Sequence, residues 1–304
     1  MNGRFCYLND GFIPESEAKI SISDWFLWEG GVYDVARTYN YIPFKLDQHI
    51  DRLFNSLNSV PFIKFDRRRK EVLQITEELL QRNRQFIQLR DDCRIVYRIS
   101  RGICFEASAK PTFLVHIVPY SESVTESYAH FLKWYERGVH LVIVNTRQIP
   151  VQCLDPKIKH SNRLCNRLAQ YEAAMVDPEA VALMLNVHGY ITECPRDNFV
   201  MVKNNSLYTS RLTDCLSGVT RQVVLALAQD MGIPCIETDL TVYDLYQANE
   251  IMITGTSIAI APVSKLNLRT LPGSLPGPIT RGLQVAFSEL VNYDIVERAR
   301  EYAK

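Results

Sequence analysis

In the stretch Asp155-Pro156-Lys157-Ile158-Lys159-His160-Ser161-Asn162-Arg163-Leu164, an extended segment with two lysines runs directly into a predicted helix. A lysine at the end of such a segment can present its amine to an aldehyde group as a Schiff base, and partial desolvation keeps the amine reactive. Taken alone, the motif favours an ordinary surface lysine over a reactive one. Motifs elsewhere in the chain are therefore needed to choose between a lysine that forms a Schiff base and a surface lysine.

The composition indicates a globular chain with evenly balanced charge. Its 304 residues are 47% hydrophobic and 22% charged, which is enough to bury a core and to form two domains. Lysine plus arginine and aspartate plus glutamate both total 34, so the net charge is zero. Without a basic field, neither nucleic acid nor an anionic membrane surface is an expected partner. Any anion-binding site must be local.

The cysteines and the N-terminus predict a cytoplasmic protein without a metal centre. The eight cysteines are scattered, with no C-x-x-C pair and none of the histidine spacing that a zinc site needs. We expect most of them to be buried small side chains in a reducing compartment. Residues 1–10 are too polar for a signal peptide, and no apolar run approaches the ~20 residues of a membrane span.

Apolar runs that alternate with turn residues predict two domains. Strands and two helices fill residues 1–119, which we expect to form a small α+β domain. Residues 120–137 are polar and weakly patterned, as in a linker or a mobile lid. Residues 138–304 are typical of a larger domain of strands and helices, whose last helix is predicted over residues 279–302. Asp47 is the predicted cap of the helix that carries Arg52.

A second motif, Thr192-Glu193-Cys194-Pro195-Arg196-Asp197-Asn198-Phe199, puts an acid at the end of an apolar strand. The carboxylate of Glu193 could pair with a protonated pyridine nitrogen and so hold a positive charge on such a ring. Considered alone, Glu193 could equally be a surface acid at a strand end.

Two further motifs could bind a phosphate group. Leu216-Ser217-Gly218-Val219-Thr220-Arg221 begins a strongly patterned helix, and Thr254-Gly255-Thr256-Ser257 follows a buried strand. Backbone N–H groups and hydroxyls at a helix N-terminus and in a glycine turn can bind phosphate without a P-loop. A plain helix cap at Ser217 and a simple turn at residues 254–257 are the structural alternatives.

The four motifs, in this order, resemble those of the class IV aminotransferases, which depend on pyridoxal 5′-phosphate (PLP). Gly31 to Asn40 and Phe44 to Leu53 resemble the small domain of this family, particularly that of its D-amino-acid enzymes. The family also contains branched-chain aminotransferases, R-selective amine transaminases and aminodeoxychorismate lyase. The resemblance covers nearly the whole chain and implies fold type IV, with a small α+β domain, a larger domain with a barrel-like sheet, and an active site between them.

The resemblance also implies a role for each matching residue. Lys159 would carry PLP as a Schiff base and move a proton between substrate and cofactor, because the family's Ile-Lys-x-x-Asn-x-Leu context fits Lys159 and not Lys157. Glu193 would bind the pyridine nitrogen, and Arg52 would bind the phosphate as a bidentate partner. The other matches are Gly218, Val219, Thr220 and Thr256 at the phosphate, Asn198 and Arg163 near the cofactor, and Ser257 near the substrate.

The residues around the substrate depart from each subtype of the family. Branched-chain enzymes resemble Val-Phe-Glu-Gly where this chain has Val32-Tyr33-Asp34-Val35, and Trp28 stands at the position of their substrate-side tyrosine. D-amino-acid enzymes bind the substrate carboxylate through an arginine and a histidine, and R-selective amine transaminases use an arginine in the same loop. Ile103 to Lys110 contains neither residue. The candidates that remain are Trp28 and Tyr33 for the substrate, with Arg37, Arg98 or residues 120–137 for its carboxylate.

The predicted activity is transfer of an amino group from an amino acid or amine to a 2-oxo acid, by a ping-pong scheme on PLP. The donor stays open between branched-chain-like, D-amino-acid and R-selective amine subtypes. Residues 159–164 also look like aminodeoxychorismate lyase, which uses the same lysine chemistry to eliminate pyruvate. A PLP-binding protein without activity is the third alternative, and the presence of Lys159, Glu193 and Arg52 argues against it. The family also implies a homodimer, with the aromatic segment Trp25 to Trp28 at a shared wall of the site or in plain dimer packing.

Overall fold

A computed structural model of the chain describes residues 3–88, 91–104, 106, 108–123 and 126–303. The chain divides into two compact units, Met1–Val124 with Ile158–Asn162, and Thr125–Lys157 with Arg163–Lys304. The segment with Lys159 therefore belongs to the first unit, although the residues before and after it belong to the second. The division into residues 1–119, 120–137 and 138–304 stays a prediction. Four residues of the predicted linker and of the loop after Gly102 lie outside the described ranges: Val124, Thr125, Phe105 and Ala107.

The first unit is built on a six-stranded antiparallel sheet. Its strands are β1 (Phe5–Leu8), β2 (Gly11–Pro14), β3 (Val32–Tyr39), β4 (Ile42–Pro43), β5 (Cys93–Ile99) and β6 (Phe113–Pro119), in the order β2-β1-β6-β5-β3-β4. Its helices are α1 (Trp25–Trp28), α2 (Leu46–Asn58) and α3 (Arg69–Asn83). Side chains along β6 alternate between buried and partly buried, as in a strand with one face on a core. That core holds Ile50 and Leu53 of α2 with Ile95 of β5 and Val115 of β6.

Helix α2 brings three polar residues onto one face. His49, Arg52 and Ser56 are spaced by three and four residues, which places their side chains on neighbouring turns. The prediction that Asp47 caps this helix is wrong. The cap position is held by Lys45, so the helix begins at Leu46, and Asp47 in its first turn accepts a hydrogen bond from Arg69 at 2.7 Å. The Asp47 carboxylate still complements the positive end of the helix.

The second unit is built on an eight-stranded mixed sheet. Its strands are β7 (Val139–Arg147), β8 (Val181–Leu185), β9 (Asn198–Lys203), β10 (Ser206–Thr209), β11 (Cys235–Glu237), β12 (Glu250–Gly255), β13 (Ala259–Leu266) and β14 (Arg269–Thr270). Their order is β11-β10-β9-β12-β13-β7-β8, with β14 beside β13. Ile191 bridges to Leu185 of β8, and Glu193 bridges to Asn198 of β9. The pairing thus continues from β8 back to β9, in agreement with the predicted barrel-like sheet.

Six helices accompany this sheet within the described residues: α4 (Tyr128–Arg137), α5 (Leu164–Val176), α6 (Val219–Asp230), α7 (Val242–Tyr246), α8 (Pro278–Leu290) and α9 (Ile295–Tyr302). Helix α4 lies in the segment predicted as a linker or lid. Its cap, Ser127, accepts a hydrogen bond from the N–H of His130, and its buried face consists of Tyr128, Phe131 and Tyr135. The spacing of aliphatic residues does not indicate this helix, because its buried face is aromatic and two of the three side chains carry a hydroxyl.

The single helix predicted over residues 279–302 is wrong, because α8 and α9 are separate helices. Asn292 has a φ of 57°, a left-handed conformation that ends a helix. Asp294 then caps α9 by accepting hydrogen bonds from the N–H groups of Val296 and Glu297. Asn and Asp are typical stop and start residues, so the sequence does contain this signal.

None of the helices in the described ranges is long and apolar enough to cross a membrane. Across the same ranges, no group of three or more His, Cys, Asp and Glu side chains is arranged to hold a metal ion.

Candidate functional site

The backbone of Lys159 is fixed against strand β3 and helix α2 of the first unit. Its carbonyl accepts a hydrogen bond from the N–H of Tyr33 at 2.9 Å, and its own N–H donates to the hydroxyl of Ser56 at 3.1 Å. The N–H of Ser161 donates to the carbonyl of Gly31 at 2.7 Å, which continues the pairing with the start of β3. Residues 159–161 therefore pair with the start of β3 like a short neighbouring strand, although they lie far from β3 in the sequence.

The side chain of Lys159 lies over an aromatic ring, whereas that of Lys157 forms an ion pair. The Nζ atom of Lys159 is 4.8 Å from the ring centroid of Tyr33, a cation–π distance. The Nζ atom of Lys157 is 3.0 Å from Oδ2 of Asp155, and its side chain is about half exposed. This difference favours Lys159 as the reactive amine.

Arg52 is bound by a buried aspartate. Its Nε and Nη2 donate to the two oxygens of Asp34 at 2.7 Å and 2.9 Å, and Nδ1 of His49 lies 2.8 Å from Oδ1 of the same carboxylate. Burial alone would raise the pKa of Asp34, but the Arg52 guanidinium and His49 hold that pKa well below its usual range. Burial lowers the pKa of His49 and outweighs the hydrogen bond to Asp34, which would raise it. The cluster therefore consists of an ionised Asp34, a cationic Arg52 and a neutral His49.

The two arginines considered for the substrate carboxylate differ in their surroundings. Arg37 is buried, with Nη2 3.9 Å from Oδ2 of Asp92, and its guanidinium stacks over the ring of Tyr39. Arg98 is half-buried and stands opposite Tyr33 in the β3–β5 pairing, with its guanidinium 5.8 Å from that ring centroid. Within the described residues, the side chain of Arg98 has no hydrogen bond or ion pair. Arg98 is therefore the better candidate for binding an external carboxylate.

Glu193 of the second unit is largely buried, and its carboxylate accepts hydrogen bonds from neutral groups. Its Oε2 accepts from Nδ2 of Asn198 and from the N–H of Leu216, both at 3.0 Å, and its Oε1 accepts from Nε2 of Gln148 at 3.2 Å. These donors are neutral, so they orient the carboxylate without cancelling its charge. Gln148 has no counterpart in the sequence prediction, because nothing in its spacing connects the end of β7 with Glu193.

The Leu216–Gly218 segment connects Glu193 with the start of helix α6. Asn198 also donates to the carbonyl of Leu216 at 2.9 Å. Gly218 is the residue before the helix, and a Cβ atom there would lie 1.9 Å from Oδ1 of Asn198. Only glycine fits at this position, and it offers no side chain to cap the first N–H groups of the helix. Val219 and Thr220 follow as buried residues of the first turn. An uncapped helix start is favourable for an anion.

A second close approach occurs at the last residue of β12, where the backbone of Gly255 meets the side chain of Asp197. A Cβ atom on Gly255 would lie 2.0 Å from Oδ1 of Asp197. The hydroxyl of Thr254 is fully buried and has no hydrogen-bond partner within the described residues. Thr256 lies half-buried in the turn, and the hydroxyl of Ser257 donates to Glu126 at 2.7 Å. The end of β12 therefore combines tight packing at Gly255 with a buried hydroxyl of Thr254 that has no hydrogen-bond partner within the described residues.

The other predicted residues lie at the edges of these clusters. Arg163 donates through Nη2 to the carbonyl of Pro195, which ties the start of α5 to the turn after Glu193. Trp28, at the end of α1, is largely exposed and donates through Nε1 to the carbonyl of Ile22 at 3.1 Å. The first unit thus groups Lys159, Tyr33, Arg52 and Arg98, while the second groups Glu193, Asn198, Gly218, Val219, Thr220, Thr256 and Ser257.

Comparison with known proteins identifies the family. The chain matches the family described as amino-transferase class IV over residues 31–266. A putative branched-chain-amino-acid aminotransferase from Methanocaldococcus jannaschii is 33% identical over 292 residues, which cover 93% of this chain and 95% of that protein. A D-alanine aminotransferase from Staphylococcus aureus is 30% identical over 291 residues, which cover 94% and 97% of the two proteins.

Solved structures agree on the fold. The branched-chain amino acid aminotransferase from Thermobaculum terrenum in its PLP form superposes with a TM-score of 0.82 and covers 99% of this chain and 97% of its own. At 24% identity, this likeness concerns the fold alone. The predicted family and the predicted fold type are both confirmed. On the extent of the family match and the identity to two aminotransferases, this chain belongs to the class IV aminotransferase family.

Proposed function

We propose that this class IV aminotransferase uses PLP to move an amino group from an amino acid or amine to a 2-oxo acid, and that Lys159 holds the cofactor. The observation that carries the proposal is the fixed backbone of Lys159, whose N–H and C=O are both hydrogen-bonded within the first unit. Because the backbone of Lys159 is held in place, its side-chain amine stays over the ring of Tyr33. This amine is the group that we propose to react. The PLP form of the Thermobaculum terrenum enzyme, which has the same fold, supports PLP as the cofactor.

The residues of the second unit fit two parts of the PLP molecule. The uncapped start of α6, the close packing at Gly218 and the buried hydroxyl of Thr254 fit a phosphate, which needs several donors and close access to backbone N–H groups. The carboxylate of Glu193, oriented by neutral donors, fits a pyridine nitrogen that takes up a proton. The donor set therefore suits a phosphorylated pyridine.

Each residue near the reacting groups has a separate task. When bound, PLP supplies an electron sink for the electron pair left behind as a proton leaves the carbon that bears the amino group. The amine of Lys159 takes that proton and returns it at the next position. Glu193 keeps the ring nitrogen protonated, and Asn198 and Gln148 hold Glu193 in place. Arg52 binds the phosphate, together with Gly218, Val219, Thr220 and Thr256.

For the substrate carboxylate we propose Arg98 rather than Arg37. The Arg37 guanidinium is already close to the carboxylate of Asp92 and is buried, so binding a substrate would require breaking that contact. Arg98 stands beside Tyr33, whose ring also faces the amine of Lys159. Tyr33, Trp28 and Ser257 are proposed to line the substrate site. An arginine without a competing carboxylate can bind a 2-oxo acid through two hydrogen bonds.

We also propose that the enzyme is a homodimer in the cytoplasm. Helix α5 exposes four large apolar side chains at helical spacing: Leu164, Leu168, Tyr171 and Met175. A contiguous apolar face of this kind is what a second copy of the chain covers. Sedimentation of Leu168→Glu should then give a lower mass than sedimentation of the unchanged protein, while a protein that is already monomeric contradicts the dimer.

The proposed activity is tested by the half-reaction with single donors. The purified PLP form is mixed separately with L-leucine, D-alanine and (R)-1-phenylethylamine, and the loss of the visible absorption band of bound PLP is followed. Conversion by one donor supports transamination and identifies the subtype. Lys157→Ala serves as the control and should react like the unchanged protein. Failure of every donor, with pyruvate released from aminodeoxychorismate in the absence of a 2-oxo acid, would replace transamination by the lyase reaction.

A further inference from the structure

Asp34 binds Arg52 in the geometry of a bidentate ion pair. Both oxygens of Asp34 accept from the Arg52 fork, at 2.7 Å and 2.9 Å, and the Asp34 side chain is fully buried while that of Arg52 is 11% exposed. Two parallel hydrogen bonds fix the plane of a guanidinium as well as its position. The direction in which Arg52 presents its remaining donors is therefore set by Asp34.

His49 is hydrogen-bonded to Asp34 and not to Arg52. Because Asp34 is ionised and accepts only, the proton at Nδ1 of His49 must be on the nitrogen and donate to Oδ1 at 2.8 Å. Nη2 of Arg52 lies 3.3 Å from the same Nδ1 atom, but two N–H donors cannot hydrogen-bond to each other. His49 and Arg52 are thus both bound to one carboxylate, which is the common anchor of the cluster.

We infer that Asp34 is a positioning residue, which acts on the cofactor phosphate through the orientation of Arg52. The inference rests on the proposed contact between Arg52 and the phosphate. Two effects of Asp34 oppose each other, since its negative charge repels a phosphate dianion while its hydrogen bonds hold Arg52 ready to bind one. A single substitution removes both effects at once. The orientation effect exists only when Arg52 is present, so a double-mutant cycle isolates it.

The test measures the dissociation constants of PLP and of pyridoxal, which lacks the phosphate, for four proteins. These are the unchanged protein, Asp34→Asn (D34N), Arg52→Gln (R52Q) and D34N/R52Q, and the readout is the absorption of the bound ligand. The ratio of the two constants reports binding to the phosphate alone. We expect D34N to reduce the preference for PLP about tenfold more when Arg52 is present than in the R52Q background, a coupling within the usual range for residues in contact.

The outcomes separate the inference from the function on which it rests. If R52Q leaves the preference for PLP unchanged, the proposed phosphate contact is wrong and the inference falls with it. If R52Q lowers the preference but D34N has the same effect in both backgrounds, Arg52 does bind the phosphate and Asp34 does not position it. Asp34→Glu takes the place of D34N if that variant does not fold, because the longer side chain keeps the charge and displaces the fork.

A matched control distinguishes positioning from general loss of structure. Asp92 is another fully buried carboxylate of the first unit, and it accepts hydrogen bonds from the hydroxyl of Thr38 at 3.1 Å and from the N–H of Tyr41 at 2.9 Å. Asp92→Asn should lower the melting temperature without changing the preference for PLP over pyridoxal. If Asp92→Asn changed the preference for PLP over pyridoxal as much as D34N does, the inference would be overturned.

Discussion

The hydroxyl of Ser56 accepts a hydrogen bond from the backbone N–H of Lys159 at 3.1 Å and donates to the carbonyl of Arg52 at 3.0 Å. One side chain of helix α2 therefore connects the backbone of the proposed cofactor lysine to that of the proposed phosphate arginine. The two residues are more than a hundred positions apart in the chain, and Ser56 fixes how their backbones meet.

Ser56→Ala is expected to weaken binding of PLP roughly fivefold and to reduce stability by about 1 kcal/mol, because the N–H of Lys159 loses its partner. Titration of the visible band and thermal unfolding measure the two effects. Ser59→Ala is the matched control, since the hydroxyl of Ser59 donates to the carbonyl of Asn55 at the exposed end of the same helix. Equal PLP affinity in the two variants would contradict a role for Ser56.

Glu193→Gln is expected to lower the rate of amino transfer roughly 100-fold, because a neutral amide does not keep the ring nitrogen protonated. PLP should remain bound, since Lys159 and the phosphate residues are unchanged. Steady-state rates and the absorption of bound PLP measure this separation. Glu179→Gln, at an exposed ion pair with Lys133, is the control and should retain the rate. A Glu193→Gln variant with the full rate would exclude Glu193 as the partner of the ring nitrogen.

Arg98→Gln is expected to raise the KM for a 2-oxo acid about tenfold, because a charge-assisted contact with the carboxylate of that acid is lost. Arg37→Gln should act differently, lowering the melting temperature because Asp92 loses a nearby cation in a buried environment. Acceptor kinetics and thermal unfolding on both variants make the comparison. The assignment is reversed if Arg37→Gln raises KM and Arg98→Gln does not.

The pKa of His49 is lowered by burial, so the unfolded chain binds a proton at this position more readily than the folded chain. This contribution to stability is present above the unfolded pKa of about 6.5 and is lost as the pH falls towards the folded value. When the pH is lowered from about 7 to about 5.5, the free energy of unfolding of His49→Gln should therefore fall less than that of the unchanged protein. Melting temperatures across this interval test it, and identical slopes would mean that His49 does not titrate on unfolding.

The motifs that the sequence identified are local, and this is why they could be found. Lys159, Glu193 and the start of α6 each lie in a short segment with its own pattern of strand, turn or helix. Family and fold are confirmed, while the residue roles stay predictions. Gln148 and Asp34 were missed because their contacts join distant segments, and no spacing in the chain indicates such a contact. The early start of α2 and the break before α9 are errors at helix ends, where single residues such as Asn292 decide the boundary.

The most direct measurement locates the lysine that carries the cofactor. The PLP form is reduced with borohydride, which makes the bond between lysine and cofactor permanent, and digested peptides are analysed by mass spectrometry. We predict that the added mass lies on Lys159 and is lost in Lys159→Ala. Modification of Lys157, or of any other lysine with Lys159 unmodified, would contradict it.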